Sequence, residues 1–262
     1  SQAFEGTIKW TMKMEITDPK MKAEMEQAQQ KMNDPATQAK MKEFEAQMND
    51  PKMKEMMAAN PQMKAQMEKQ MAMMKGMQGG GGGMGNMMPS GFTIKIKGGN
   101  RLTIMEGGMM AGEMLYSKDK DQTVRLNRND KTYSILPSGG GGPGGSPVTP
   151  KVTKTGETAK ILGYNCVKYI VEITEGGRPS TQNIWTTTDI KDFDLKSLAK
   201  QRMGQGQSLF YEGMDGVPLK IEAASKEGNI VMEASELKRE TLDASLFTIP
   251  SDYKEVKMNG RF

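Results

Sequence analysis

Asp18-Pro19, Asp34-Pro35 and Asp50-Pro51 recur every sixteen residues, and Asn60-Pro61 follows ten residues after the last of them. An Asp or Asn side chain accepts the unpaired N–H groups of a first helical turn. Proline suits the first helical position because its missing N–H goes unused there. The pattern predicts four short helices, each started by its own pair. Apolar residues then fall three and four apart on one face of each: Met21, Met25, Ala28 and Met32; Met41, Phe44 and Met48; Met53, Met56 and Met57; Met63, Met67, Met71 and Met74. Helices this short are marginal alone in water, so the stripes must be covered by one another or by something else.

On either side of this block the chain reads as β-structure. Phe4 to Ile16 alternates, with Phe4, Ile8, Trp10, Met12, Met14 and Ile16 on one face and charged or Thr side chains on the other. That is the pattern of an antiparallel sheet with one wet side. After a glycine-rich tether, Gly79 to Gly91, which flexible-chain scaling extends over roughly 20 Å, Phe92, Ile94 and Ile96 alternate up to the turn Gly98-Gly99-Asn100. Leu102 and Ile104 return, and the chain meanders through Met114-Leu115-Tyr116, Val124, Leu126, Tyr133 and Ile135. Ser138 to Pro147 reads as a second low-complexity loop. A strand opening at Ile161-Leu162-Gly163-Tyr164-Asn165-Cys166 is expected to face inward with Val167, Tyr169, Val171 and Ile173. Ile184-Trp185-Thr186-Thr187 follows. Asp192 is expected to cap a short helix carrying Phe193, Leu195, Leu198 and Ala199, and Val217 to Ala223 and Ile230 to Ala234 complete the sheet. The fold class expected is α+β: a curved antiparallel sheet formed by residues 1–16 and 91–262, a Met-rich helical insertion over 17–78 after the first strand, and a tether over 79–90.

The residue inventory narrows the chemistry. Histidine is absent, which removes the usual general base, the commonest zinc ligand and every Ser/His or Cys/His pair. Cys166 is the single cysteine, so no intrachain disulfide forms, and with no base to activate it a small half-buried role is expected. The net charge of +4 is interspersed, with no arginine cluster among aromatics, so nucleic acid is not an expected partner. Gly79 to Gly85 lacks the strand-to-helix setting and Lys-Ser/Thr of a phosphate loop. The pairs Asp189/Asp192 and Asp192/Asp194 read as helix caps. No run approaches the roughly 18 apolar residues of a membrane span. The start at Ser1-Gln2-Ala3-Phe4 looks like a mature end left by signal-peptide removal, which places the chain in the periplasm or outside the cell.

Two resemblances add to this. Gly163-Tyr164-Asn165-Cys166-Val167-Lys168-Tyr169, Ile184-Trp185-Thr186-Thr187, Val217-Pro218-Leu219-Lys220-Ile221 and Leu246-Phe247-Thr248-Ile249-Pro250, with a first strand like Phe4-Glu5-Gly6-Thr7-Ile8, resemble an uncharacterised bacterial envelope family related in fold to the LolA-type lipoprotein carriers. The resemblance implies an open half-barrel whose concave face can hold an acyl chain or apolar segment, and it carries no catalytic residues. The Met-rich block is far larger than the connection expected there. Met48-Asn49-Asp50-Pro51-Lys52-Met53 and Ala59-Asn60-Pro61-Gln62-Met63 look like the DP-repeat helices of Hop and ubiquilin co-chaperones, which cradle apolar client segments.

The function expected is therefore non-enzymatic and without a cofactor: an envelope protein that shields a lipid, lipoprotein or unfolded client. Phe4, Ile8, Trp10, Met12, Tyr169 and Trp185 from the sheet and Met63, Met67 and Met71 from the insertion would line the site. Two alternatives stand beside it. Met63, Met67 and Met71, spaced by four, place three soft sulfurs on one helix face, as copper(I) or silver(I) binding would need. The chain could also be an accessory subunit with an outer-membrane protein partner.

Overall fold

The computed structural model describes residues 3–78, 89–108, 111–137, 150–175, 177–195, 202–203, 207–208, 211–226 and 228–257. The chain forms two compact units, one of Ser1–Glu15, Gly91–Glu106 and Gly112–Phe262, the other of Ile16–Ser90 and Gly107–Ala111.

The helical unit follows the Asp/Asn-Pro punctuation. Its helices are α1 Pro19–Met32, α2 Pro35–Met48, α3 Pro51–Ala59 and α4 Pro61–Gln78. Asp18 accepts the N–H of Lys20 at 3.0 Å, Asp50 that of Lys52 at 3.1 Å, Asp34 that of Ala36 at 3.4 Å and Asn60 that of Met63 at 3.3 Å. Each helix packs on the next, and α1 also packs on α4. Met41, Met48 and Met57 are buried, and the other stripe residues are partly covered, except that Met56 stays 57% exposed. Met56 and Met57 are neighbours about 100° apart on a helix, so α3 buries only one of them.

The sheet unit holds strands β1 Gly6–Ile16, β2 Gly91–Lys97, β3 Asn100–Glu106, β4 Gly112–Ser117, β5 Gln122–Asn127, β6 Thr132–Ile135, β7 Lys151–Ile161, β8 Tyr164–Glu175, β9 Arg178–Thr187, β10 Arg202–Met203, β11 Gln207–Ser208, β12 Val217–Ala224, β13 Gly228–Arg239 and β14 Lys254–Glu255. Twelve of them make one large curved, unclosed sheet in the order β14-β6-β5-β4-β3-β2-β1-β13-β12-β9-β8-β7, a half-barrel-like α+β arrangement. At one edge β14 runs parallel to β6, which makes the sheet mixed. The β2–β3 turn has Gly98 and Gly99 at φ of 57° and 86°, values that glycine adopts without strain.

The strand expected to open at Ile161 does not. Leu162 and Gly163, both at positive φ, form a tight turn, and β7 ends at Ile161 where β8 begins at Tyr164. Strand β7 itself carries no sequence signal, because it is an edge strand with polar residues on both faces and a break in pairing register between Lys154 and Thr158. The tether over 79–88, the loop over 138–149, and Leu198, Ala199, Leu209 and Phe210 lie outside the described residues.

The sheet buries different faces along its width. One face carries Ile8 and Trp10 with Ile94 and Phe92 across β1–β2, and Tyr169, Ile184, Ile221 and Met232 across β8, β9, β12 and β13. In β3–β5 the opposite face carries a core of its own: Leu102, Leu115 and Val124 pair across the strands and pack under Leu242 and Phe247. Phe247 closes the 3-10 helix Ala244–Phe247, whose N-cap is Asp243. The family-like Leu246-Phe247-Thr248-Ile249 stretch is thus the cover of this second core.

Candidate functional site

The first face is the larger apolar surface, and the chain covers it with its own β9–β12 connection. Ile190 and Met214 are buried in that core, and Phe193, Leu195 and Tyr211 pack against it. The connection is pinned at both ends. Near its start, the N–H of Phe4 donates to the Asp192 carbonyl at 2.9 Å, and Arg239 grips the Asp192 carboxylate through Nη1 at 2.5 Å and Nη2 at 2.9 Å. Near its end, the Asp215 N–H donates to Tyr169 Oη at 3.3 Å, while Thr186 Oγ1 donates to the Asp215 carbonyl at 2.6 Å.

Two of the aspartates expected to cap a helix have partners elsewhere, and most of that helix, from residue 196 on, lies outside the described residues. Asp192 is spent on Arg239, whose guanidinium holds that carboxyl below its ordinary range, and Asp189 accepts the Asn165 N–H at 3.2 Å.

Phe193 packs on this face from the connection. Its ring lies 5.1 Å from that of Phe4, and it lines a pocket together with Ile8, Trp10, Ile94, Ile96, Val217 and Pro218. The space left is about 10 Å³, room for a single water at most. Trp10 stacks on Phe92 at 5.5 Å, and its buried indole N–H finds no hydrogen-bond partner among the described residues.

Beside this pocket the face turns polar. Arg101 pairs across the ladder with Ile96 on one side and Tyr116 on the other, and its guanidinium stacks 4.7 Å from the Tyr116 ring. It is only 2% exposed. Burial pushes its pKa down to about 10, opposed by Tyr116 and by the carboxylate of Asp194, the residue after Phe193. The connection thus places a phenyl ring against the apolar pocket and, at the next residue, an exposed carboxylate whose charge favours the buried cation.

Of the residues expected to line a site, Phe4, Ile8, Trp10 and Tyr169 share the buried core of this face, and Met12 packs against it. Trp185 is one step out of that row. It pairs with Lys168 and Lys220, and Lys168 Nζ sits 5.8 Å from its ring centre, with the ring's edge still reaching the core. Met63, Met67 and Met71 belong to α4 of the helical unit, where each is partly covered. Cys166 is fully buried, not half-buried. Phe193 and Arg101 were missed. The first was expected on a short helix and not at the sheet face, and the second alternates with Leu102 and Ile104 and so reads as a solvent-facing residue.

Residues 92–253 match the family model described as Domain of unknown function (DUF4412). No curated protein sequence matches the chain. Among solved structures the chain is similar to an uncharacterized conserved protein from Thermus thermophilus, at 11% identity over 64% of this chain and 82% of that one with a TM-score of 0.38. It is also similar to LprF from Mycobacterium bovis, at 11% identity over 64% and 83% of the two chains with a TM-score of 0.29. No helix among the described residues is long and apolar enough to cross a membrane.

Proposed function

The chain belongs to the DUF4412 family, and on that premise we propose that it is a non-catalytic, periplasmic binding protein that shields the apolar part of a lipid or lipoprotein from water. The ligand enters the sheet unit where Phe193 now sits. Driven by burial of apolar surface, its acyl chain takes the place of the phenyl ring against Ile8, Trp10, Ile94, Ile96 and Val217. An anionic group on the same ligand takes the place of Asp194 beside Arg101. The observation that carries this reading is the pairing of Phe193 with its pocket, because a side chain borrowed from a connection marks a surface that can be covered in two ways. The Met-faced helices are the proposed second apolar surface, adaptable because thioether side chains are unbranched and polarizable.

The test is titration of the purified protein with a fluorescent fatty acid. Phe193→Ala removes the internal competitor, and each ~1.4 kcal/mol taken from the closed form tightens binding about tenfold. The expected result is saturable binding that is at least about tenfold tighter in the variant, and weaker for the corresponding alcohol than for the acid. Absence of saturable binding in both proteins, with the variant folded, would exclude the pocket as the site.

A further inference from the structure

Residues 18–78 contain fourteen of the chain's 27 methionines, one phenylalanine, and no Leu, Ile, Val, Trp or Tyr. Every large apolar contact among α1 to α4, apart from those of Phe44, is therefore made through a thioether. The three buried anchors of the unit are Met41, Met48 and Met57. The stripe residues Met21, Met25, Met32, Met53, Met63, Met67, Met71 and Met74 are partly open to solvent, and Met56 is largely exposed. The core of the sheet unit is built differently, with Met214 and Met232 set among isoleucine, valine and aromatic side chains.

This division has a chemical consequence. Methionine is the one large apolar aliphatic side chain that a mild two-electron oxidant converts into a polar group. We propose that the helical unit is an oxidant-responsive module, in which sulfoxidation of the Met stripes by hydrogen peroxide unravels α1 to α4 while the sheet unit keeps its fold. The proposal does not rest on the binding reading.

In the step, a sulfur lone pair attacks one peroxide oxygen and the O–O bond breaks. That oxygen stays on sulfur as the sulfoxide, and the other leaves with both hydrogens as water. Sulfur is oxidised by two electrons and the peroxide is reduced by two. The product is far more polar than the thioether it replaces, and burying it among the apolar side chains of the helix–helix contacts carries a desolvation cost. Short helices depend on those contacts, because alone in water they are marginal. Met56 reacts first and without effect, since its side chain packs on little. The partly covered sulfurs follow as the helices open locally, and Met41, Met48 and Met57 react last. Sulfoxide reductases reverse the modification, so the change can be undone.

The experiment is a hydrogen peroxide titration of the intact protein, with peptide mass mapping to assign each sulfoxide. Far-UV circular dichroism follows the helices and tryptophan emission follows the sheet unit. The expected result is loss of more than half of the helical signal as Met41, Met48 and Met57 are oxidised. Emission from Trp10 and Trp185 should stay unchanged, and a sulfoxide reductase pair should restore the helices. The combined Met41→Leu, Met48→Leu and Met57→Leu variant should retain its helices at the dose that melts the parent. Helical signal that persists with those three residues mapped as sulfoxides overturns the proposal. So does a shift in tryptophan emission at or before the dose that melts the helices. Both readings come from the parent protein and stand even if the variant folds poorly.

Discussion

At the scale of single residues, Cys166 shows what burial does to chemistry. Its thiol lies within the first core and donates to the Tyr164 carbonyl at 3.7 Å. Desolvation raises its pKa from 9.0 to about 11, with a smaller push from Asp189 against a backbone hydrogen bond that lowers it. The folded protein therefore holds this proton where the unfolded chain has lost it. The associated stability is complete below the ordinary thiol range and is lost as pH rises towards about 11. At pH 8 the native thiol should react with an alkylating reagent at least about a hundredfold more slowly than in denaturant, since thiolate is scarce and access closed. Equal rates in the two conditions would place Cys166 at the surface. Arg101 is the complementary case: its neighbours Leu102 and Ile104 make it look exposed, yet it is among the largest fully buried side chains. Alternation identifies which residues share a face. It does not say which face is dry, and at β3 both are, with Arg101 and Thr103 buried on one and Leu102 on the other.

At the scale of elements, the helices were legible because their starts are local chemistry. Asp18, Asp34, Asp50 and Asn60 each bond an N–H two or three residues ahead, a contact that needs no distant partner. Loss of such a cap costs about 1 kcal/mol. Asp50→Ala should therefore lower the melting temperature of the helical signal while leaving tryptophan emission in place, and an unchanged melt would mean that packing alone holds α3. Strand β7 was illegible for the opposite reason. Its order comes from pairing with β8, and its own residues, Thr153, Lys154, Gly156 and Glu157 among them, carry no apolar period. The connection after β9 was read as a short helix, but the contacts made at its start were not legible. Phe193 and Asp192 acquire their roles only from Phe4 and Arg239, which lie far away in the sequence.

At the scale of the molecule, Phe4, Ile8, Trp10, Met12 and Tyr169 were found together because alternation in β1 and β8 ties them to one face, and that face is the larger core, while Trp185 falls out of the row. What alternation could not reveal is that the chain already fills this face, through Ile190, Phe193 and Met214, and leaves about 10 Å³. Under the proposed function this arrangement is the closed form of a binding site, with the β9–β12 connection as its exchangeable cover. Native mass spectrometry of the protein purified from its own cells measures this most directly. The predicted spectrum contains a population carrying an acyl amphiphile, which organic extraction removes and an added fatty acid restores. A bare chain that takes up no fatty acid, or one that carries only metal or a protein partner, would contradict it.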